Sequence, residues 1–101
     1  MTEVFSSQLA VGGYASRSFV SKAGTATVTL TSIGSSTTLK IGMGLGIPDA
    51  AGSGCLFTRS LETAAGGQLT ATVEVGSYCV KVWDIGTLTA TTNFTVTIVR
   101  P

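Results

Sequence analysis

A chain of 101 residues has the length of one domain, 1–101, with room for a hydrophobic core. Hydrophobic residues make up 44% and charged residues only 11%, which excludes the polar, charge-rich composition of a disordered chain. The formal net charge is +1 and the six basic residues stand singly, so the clustered phosphate contacts that nucleic acid demands are missing and no nucleic-acid partner is expected.

No apolar run reaches the roughly 18 residues of a membrane helix, so no membrane insertion is expected. The opening Met1-Thr2-Glu3-Val4 lacks a basic n-region and an apolar h-region, and no signal peptide is read in this chain. Ser, Thr and Gly supply the polarity that charge does not. Such a surface suits secreted bacterial β domains and subunits that pack against copies of themselves.

Taken in order, residues 5–11 alternate Phe5, Ser7, Leu9 and Val11 against Ser6, Gln8 and Ala10, and read as a first strand. Gly12-Gly13 turns the chain, because glycine accepts positive φ. Residues 14–20 form a second strand with Ala15, Arg17 and Phe19 on one face. In residues 25–32, Ala26, Val28 and Leu30 point one way and four threonines the other, a pattern that suits a half-wet pleated face. Residues 33–36 turn.

Residues 37–47 put Leu39, Ile41, Met43 and Leu45 inward and Lys40, Gly42, Gly44 and Gly46 outward. Glycine repeated on one strand face means a strongly twisted edge, a neighbouring loop packed close, or a flat surface for another chain or ligand. Residues 48–54 are a Pro/Asp/Ala/Gly loop, a recognition candidate that includes Asp49. Cys55 to Arg59 reads as a short strand within residues 55–62. Residues 68–75 alternate Leu69, Ala71, Val73 and Val75 inward against Thr70, Thr72 and Glu74.

Gly76-Ser77 leads into the most patterned stretch, with Tyr78, Val80 and Val82 on one face and Cys79, Lys81 and Trp83 on the other. Residues 93–99 repeat it with Phe94, Val96 and Ile98 inward, and the two strands, joined by residues 86–92, read as an antiparallel pair. Short strands separated by Gly/Ser turns predict an all-β, antiparallel, jelly-roll-like β-sandwich of about seven or eight strands, without helix or internal repeat.

The motifs Gly76-Ser77-Tyr78-Cys79-Val80-Lys81-Val82-Trp83 and Asn93-Phe94-Thr95-Val96-Thr97-Ile98, with residues 19–30 and 39–45 upstream, resemble the bacterial pre-peptidase C-terminal domain family. The resemblance runs from about Phe5 onward and implies an exported accessory or binding module attached to, or acting beside, secreted enzymes. The family's acidic opening segment, which supplies calcium ligands in some members, has no counterpart at residues 2–7. Its Asp-x-Asp-Trp motif is replaced by Tyr14-Ala15-Ser16-Arg17, so calcium binding is not carried over.

The chemistry-bearing residues are few. Without histidine there is no Ser/His/Asp or Cys/His arrangement, and no enzyme activity is expected. Glu3, Asp49, Glu62, Glu74 and Asp84 fall at turns or outward strand positions and read as solvated surface charge; Asp49 and Asp84 with loop carbonyls are the weak alternative of a metal site. Cys55 and Cys79 cannot form a zinc site alone, which leaves one disulfide or two buried thiols, and the exported character of the chain favours the disulfide. Trp83 either covers a disulfide or second apolar layer, or serves with Lys81, Tyr14 and Phe57 as an aromatic platform. The sequon Asn93-Phe94-Thr95 is read as chance in a strand of a bacterial protein.

Two functions follow as expectations. One is a non-catalytic module, secreted or on the bacterial cell surface, that needs no cofactor or metal and recognises a polysaccharide or protein through the Trp83 face or the 48–54 loop. The other is a structural subunit that associates with copies of itself through strand edges or its hydroxyl- and glycine-rich faces.

Overall fold

Alternation at a period of two sets the architecture. In the computed structural model, which describes residues 1–35, 38–48 and 55–101, eight strands follow one another: β1 (Thr2–Leu9), β2 (Tyr14–Ser21), β3 (Gly24–Ile33), β4 (Ile41–Pro48), β5 (Cys55–Thr63), β6 (Gln68–Val73), β7 (Gly76–Trp83) and β8 (Thr92–Val99). They form two four-stranded antiparallel sheets, ordered β1-β8-β3-β6 and β2-β7-β4-β5. The chain is an all-β sandwich, as its patterning predicts, and no helix occurs among the described residues.

The inward positions of both sheets meet in one core. Phe5, Leu9, Val28, Leu30, Ile33, Phe94, Val96 and Ile98 come from the first sheet, and Phe19, Ile41, Met43, Leu45, Val80 and Val82 from the second. Phe5 meets Phe94 edge-on with ring centroids 5.2 Å apart, a favoured aromatic geometry. The first sheet's outer face is a hydroxyl array whose members bond one another: Ser6 with Thr95 at 3.1 Å, Thr31 with Thr97 at 2.6 Å, and Gln68 donating to Thr29 at 3.1 Å.

Several sequence expectations are corrected. β7 and β8 do not pair: β7 lies between β2 and β4, while β8 lies between β1 and β3 in the other sheet. Both strands bury their alternate residues equally well, so patterning cannot say which sheet each joins. Residues 84–91 are therefore a crossing between sheets, and Leu88 is buried in it. β1 begins at Thr2 and ends at Leu9, leaving Val11 exposed beside the turn. β5 runs to Thr63, one residue past the expected Glu62. Val75 stands past the end of β6 and is 77% exposed rather than inward.

The acidic residues are not simply solvated. Glu3 shares the inner side of β1 with Phe5 and Leu9, where Arg17 donates Nε and Nη2 to its Oε1 at 2.9 and 2.7 Å. Arg100 approaches the other oxygen at 3.4 Å. The hydrogen bond from Arg17, reinforced by both guanidinium charges, holds the Glu3 carboxyl below its usual range. The guanidinium groups in turn lie over Phe5 and Phe19 and close one end of the core.

Cys55 and Cys79 form a disulfide, with Cα atoms 5.9 Å apart. It joins the first residue of β5 to the middle of β7, the two strands that flank β4. It closes a loop over a sequence separation of 24, which in the chain-entropy view stabilises the fold by about 3 kcal/mol. The double variant Cys55→Ser/Cys79→Ser is expected to lose about that much in urea unfolding. Reductant should destabilise the native chain to a similar degree and leave the double variant unchanged.

Candidate functional site

The second sheet's outer face is built on missing side chains. Gly42, Gly44 and Gly46 of β4 face outward, yet they are buried. A Cβ on Gly42 would overlap the Trp83 indole, and one on Gly44 would lie 2.6 Å from Cδ1 and Cε1 of Phe57. One on Gly46 would meet the backbone of Leu56, where β5 carries a register shift. The glycine stripe is thus the floor on which two aromatic rings rest, a close approach of the kind that glycine in a strand permits.

Register brings the remaining side chains to this floor. Trp83 pairs with Tyr14 on one side and Gly42 on the other; Lys81 pairs with Ser16 and Gly44; Phe57 pairs with Gly46. Phe57 and Trp83 therefore reach over β4 from opposite flanks and stack, with centroids 5.0 Å apart and planes inclined by 20°. Lys81 Nζ lies 4.2 Å from the centre of the Tyr14 ring, a diagonal cross-strand contact within cation–π range. Tyr14 is 63% and Phe57 41% exposed. Together with Gly12, Gly13 and Asp84, these four side chains line an open cleft of about 400 Å³.

Of the two readings of Trp83, the structure combines an apolar layer with a partly open aromatic surface; the ring rests on Gly42 and Phe57, four residues along the face from Cys79. Trp83, Lys81, Tyr14 and Phe57 come together as one cluster. Asp49 and the rest of the 49–54 loop lie outside the described residues. Among the described residues no group of three His, Cys, Asp or Glu side chains could hold a metal ion.

Asp84 is the residue that pattern reading underrates. Its Oδ1 accepts the backbone N–H groups of Gly86, Thr87 and Leu88 at 2.8, 3.0 and 3.2 Å, and its Oδ2 accepts that of Gly12 at 2.8 Å. Its own N–H donates to Gly13 O at 3.0 Å. One side chain thus closes the turn after β7 and ties it to the β1–β2 turn at the rim of the cleft. The sequence carried a trace of this in Asp84-Ile85-Gly86, since Asp before glycine is a turn former. The Gly12 partner is 72 residues away in the chain.

The hydrogen bond from Gly12, joined by those from Leu88, Gly86 and Thr87, holds the Asp84 carboxyl below its usual range. A carboxyl with a depressed folded-state pKa stabilises fully above its unfolded value, about 3.9, and loses that contribution as pH falls through the folded value. Asp84→Asn is therefore expected to lower the thermal midpoint at pH 7 and to flatten its decline as pH falls below about 4. Parallel melts across that window check it.

No family model matches the chain, and no curated protein sequence matches it. Solved structures do share its fold. The Yersinia pseudotuberculosis-derived mitogen aligns over 100% of this chain and 86% of its own, with a TM-score of 0.72 at 11% identity. PliG of Aeromonas hydrophila, a periplasmic lysozyme inhibitor of g-type lysozyme, aligns over 96% and 83%, with a TM-score of 0.62 at 13% identity. PirA aligns over 94% and 90%, with a TM-score of 0.51 at 15% identity.

Proposed function

We propose that this chain is a non-catalytic recognition module working outside the cytoplasm, which engages its partner through the outer face of the β2-β7-β4-β5 sheet. The observation that carries the reading is the Phe57–Trp83 stack on its glycine floor, flanked by Tyr14 and Lys81. Aromatic side chains left partly open on a rigid sheet offer large contact area at small entropic cost on binding. The cleft has the size of small-ligand sites.

The disulfide supports an oxidising compartment, the periplasm or the cell exterior. The resemblance to the pre-peptidase C-terminal domain family points to the same place. Two of the structural neighbours are named as a mitogen and as a periplasmic lysozyme inhibitor, and their support is analogy at the level of fold. Capture of extracellular polysaccharides and surface proteins by the immobilised chain is the test. Trp83→Ala should lower capture at least about tenfold, the loss typical of a central aromatic anchor, while the unfolding midpoint shows that the variant is folded. Undiminished capture by folded Trp83→Ala would move the binding face elsewhere.

Self-association is the second reading, favoured by one observation. β5 is an edge strand, and on it Leu56 is 63% exposed directly beside Phe57. An edge strand with exposed apolar side chains is a template for pairing with another chain. On this reading, sedimentation across a wide concentration range shows mass rising with concentration, and Leu56→Lys restores the monomer. A monomer at all concentrations removes it.

A further inference from the structure

Resting on the reading of the aromatic face as a binding site, we infer that its ligand is a sugar residue bearing a carboxylate, with the ring against the Phe57–Trp83–Tyr14 aromatics and the acid on Lys81. The inference comes from which polar groups in the cleft the fold leaves uncommitted. Asp84 has given both oxygens to four backbone N–H groups. The rim backbone is used as well: Gly12 N–H goes to Asp84, Gly13 N–H to Ala10 O, and Gly13 O receives the Asp84 N–H.

Three polar side-chain groups in the lining make no hydrogen bond among the described residues: the Lys81 ammonium, the Trp83 indole N–H and the Tyr14 hydroxyl. Ammonium and indole can only donate, and the phenol can donate. Both ion pairs among the described residues belong to Glu3, so Lys81 has no carboxylate partner there. What partners the ammonium is the face of Tyr14, at 4.2 Å, a contact that positions the charge without neutralising it.

A donor set that includes a cation, beside a carboxylate whose oxygens are already committed to backbone N–H groups, suits an acceptor-rich anion. The apolar part of the cleft narrows the class further. A pyranose ring presents a C–H face that packs on aromatic carbon and a rim of hydroxyls for the donors. A cleft of about 400 Å³ admits one or two such rings, whereas a broad protein interface would gain little from a concavity of this size. A sugar acid uses both halves of the site, and a neutral sugar leaves the cation unmatched.

Calorimetric titration of the intact chain tests this at low salt. The probes are oligomers of galacturonate, glucuronate, mannuronate and N-acetylneuraminate, each beside its carboxyl-reduced neutral counterpart, with a glutamate-rich peptide as a further arm. At least one acid should bind about tenfold tighter than its neutral twin, the preference expected of a charge-assisted hydrogen bond, and should weaken as salt rises. Lys81→Met should bring that ratio close to one, while Lys22→Met, an exposed lysine outside the cleft lining, should keep it. Circular dichroism and unfolding midpoints establish that both variants are folded.

Equal affinity for acid and neutral twins would overturn the carboxylate and leave the aromatic face as the site. Tighter binding of the peptide would overturn the sugar. Absence of binding to every sugar pair would overturn the inference, and capture that still depends on Trp83 would then show that the broader reading stands without it.

Discussion

β4 is covered on both faces, and the candidate site depends on that constraint. Its inner side chains Ile41, Met43 and Leu45 are all but completely buried in the core. Its outer positions are glycines, also buried, because Trp83 from β7 and Phe57 from β5 lean across them and meet. Any larger residue at Gly42 or Gly44 would occupy the space of a ring. The stack therefore exists only because a central strand gave up its outer side chains, at the entropic cost that glycine brings to a strand. The disulfide links the same two flanking strands, so β5 and β7 are held to each other covalently as well as through β4.

A second fastening sets the opposite margin of the cleft. Tyr14 begins β2 directly after the glycine turn and pairs with Trp83 across the β2–β7 ladder. Asp84 holds that turn by accepting the Gly12 N–H, while Gly13 O accepts the Asp84 N–H in return. Four N–H dipoles point at the carboxylate and hold its pKa below the usual range. Between the disulfide at one margin and Asp84 at the other, the four side chains from β2, β5 and β7 sit on a braced sheet face.

The sequence made the strands legible because each buries alternate residues against a single core, and alternation needs no knowledge of neighbours. Strand partners were another matter. The similarity of residues 78–82 and 94–98 invites pairing them, yet both simply fill the same core from opposite sheets. The aromatic cluster was legible as a set of residues, since Trp83 and Lys81 share a strand face, but the proximity of Tyr14 and Phe57 depends on sheet order and register. The glycine stripe announced a close approach without saying of what. Asp84 looked like surface charge because its partner at Gly12 is distant in sequence, and Glu3 because a carboxylate on an inner face makes sense only once Arg17 and Arg100 are beside it.

The two outer faces of the sandwich use their polar groups differently, and this sets the candidate face apart from the other. On the first sheet, threonine, serine and glutamine side chains bond one another across strands, so that face satisfies part of its own hydrogen-bonding capacity. On the second sheet, the cleft pairs aromatic carbon with donors that have no acceptor among the described residues. Donors beside open rings are the side-chain chemistry that the proposed recognition face would offer a partner.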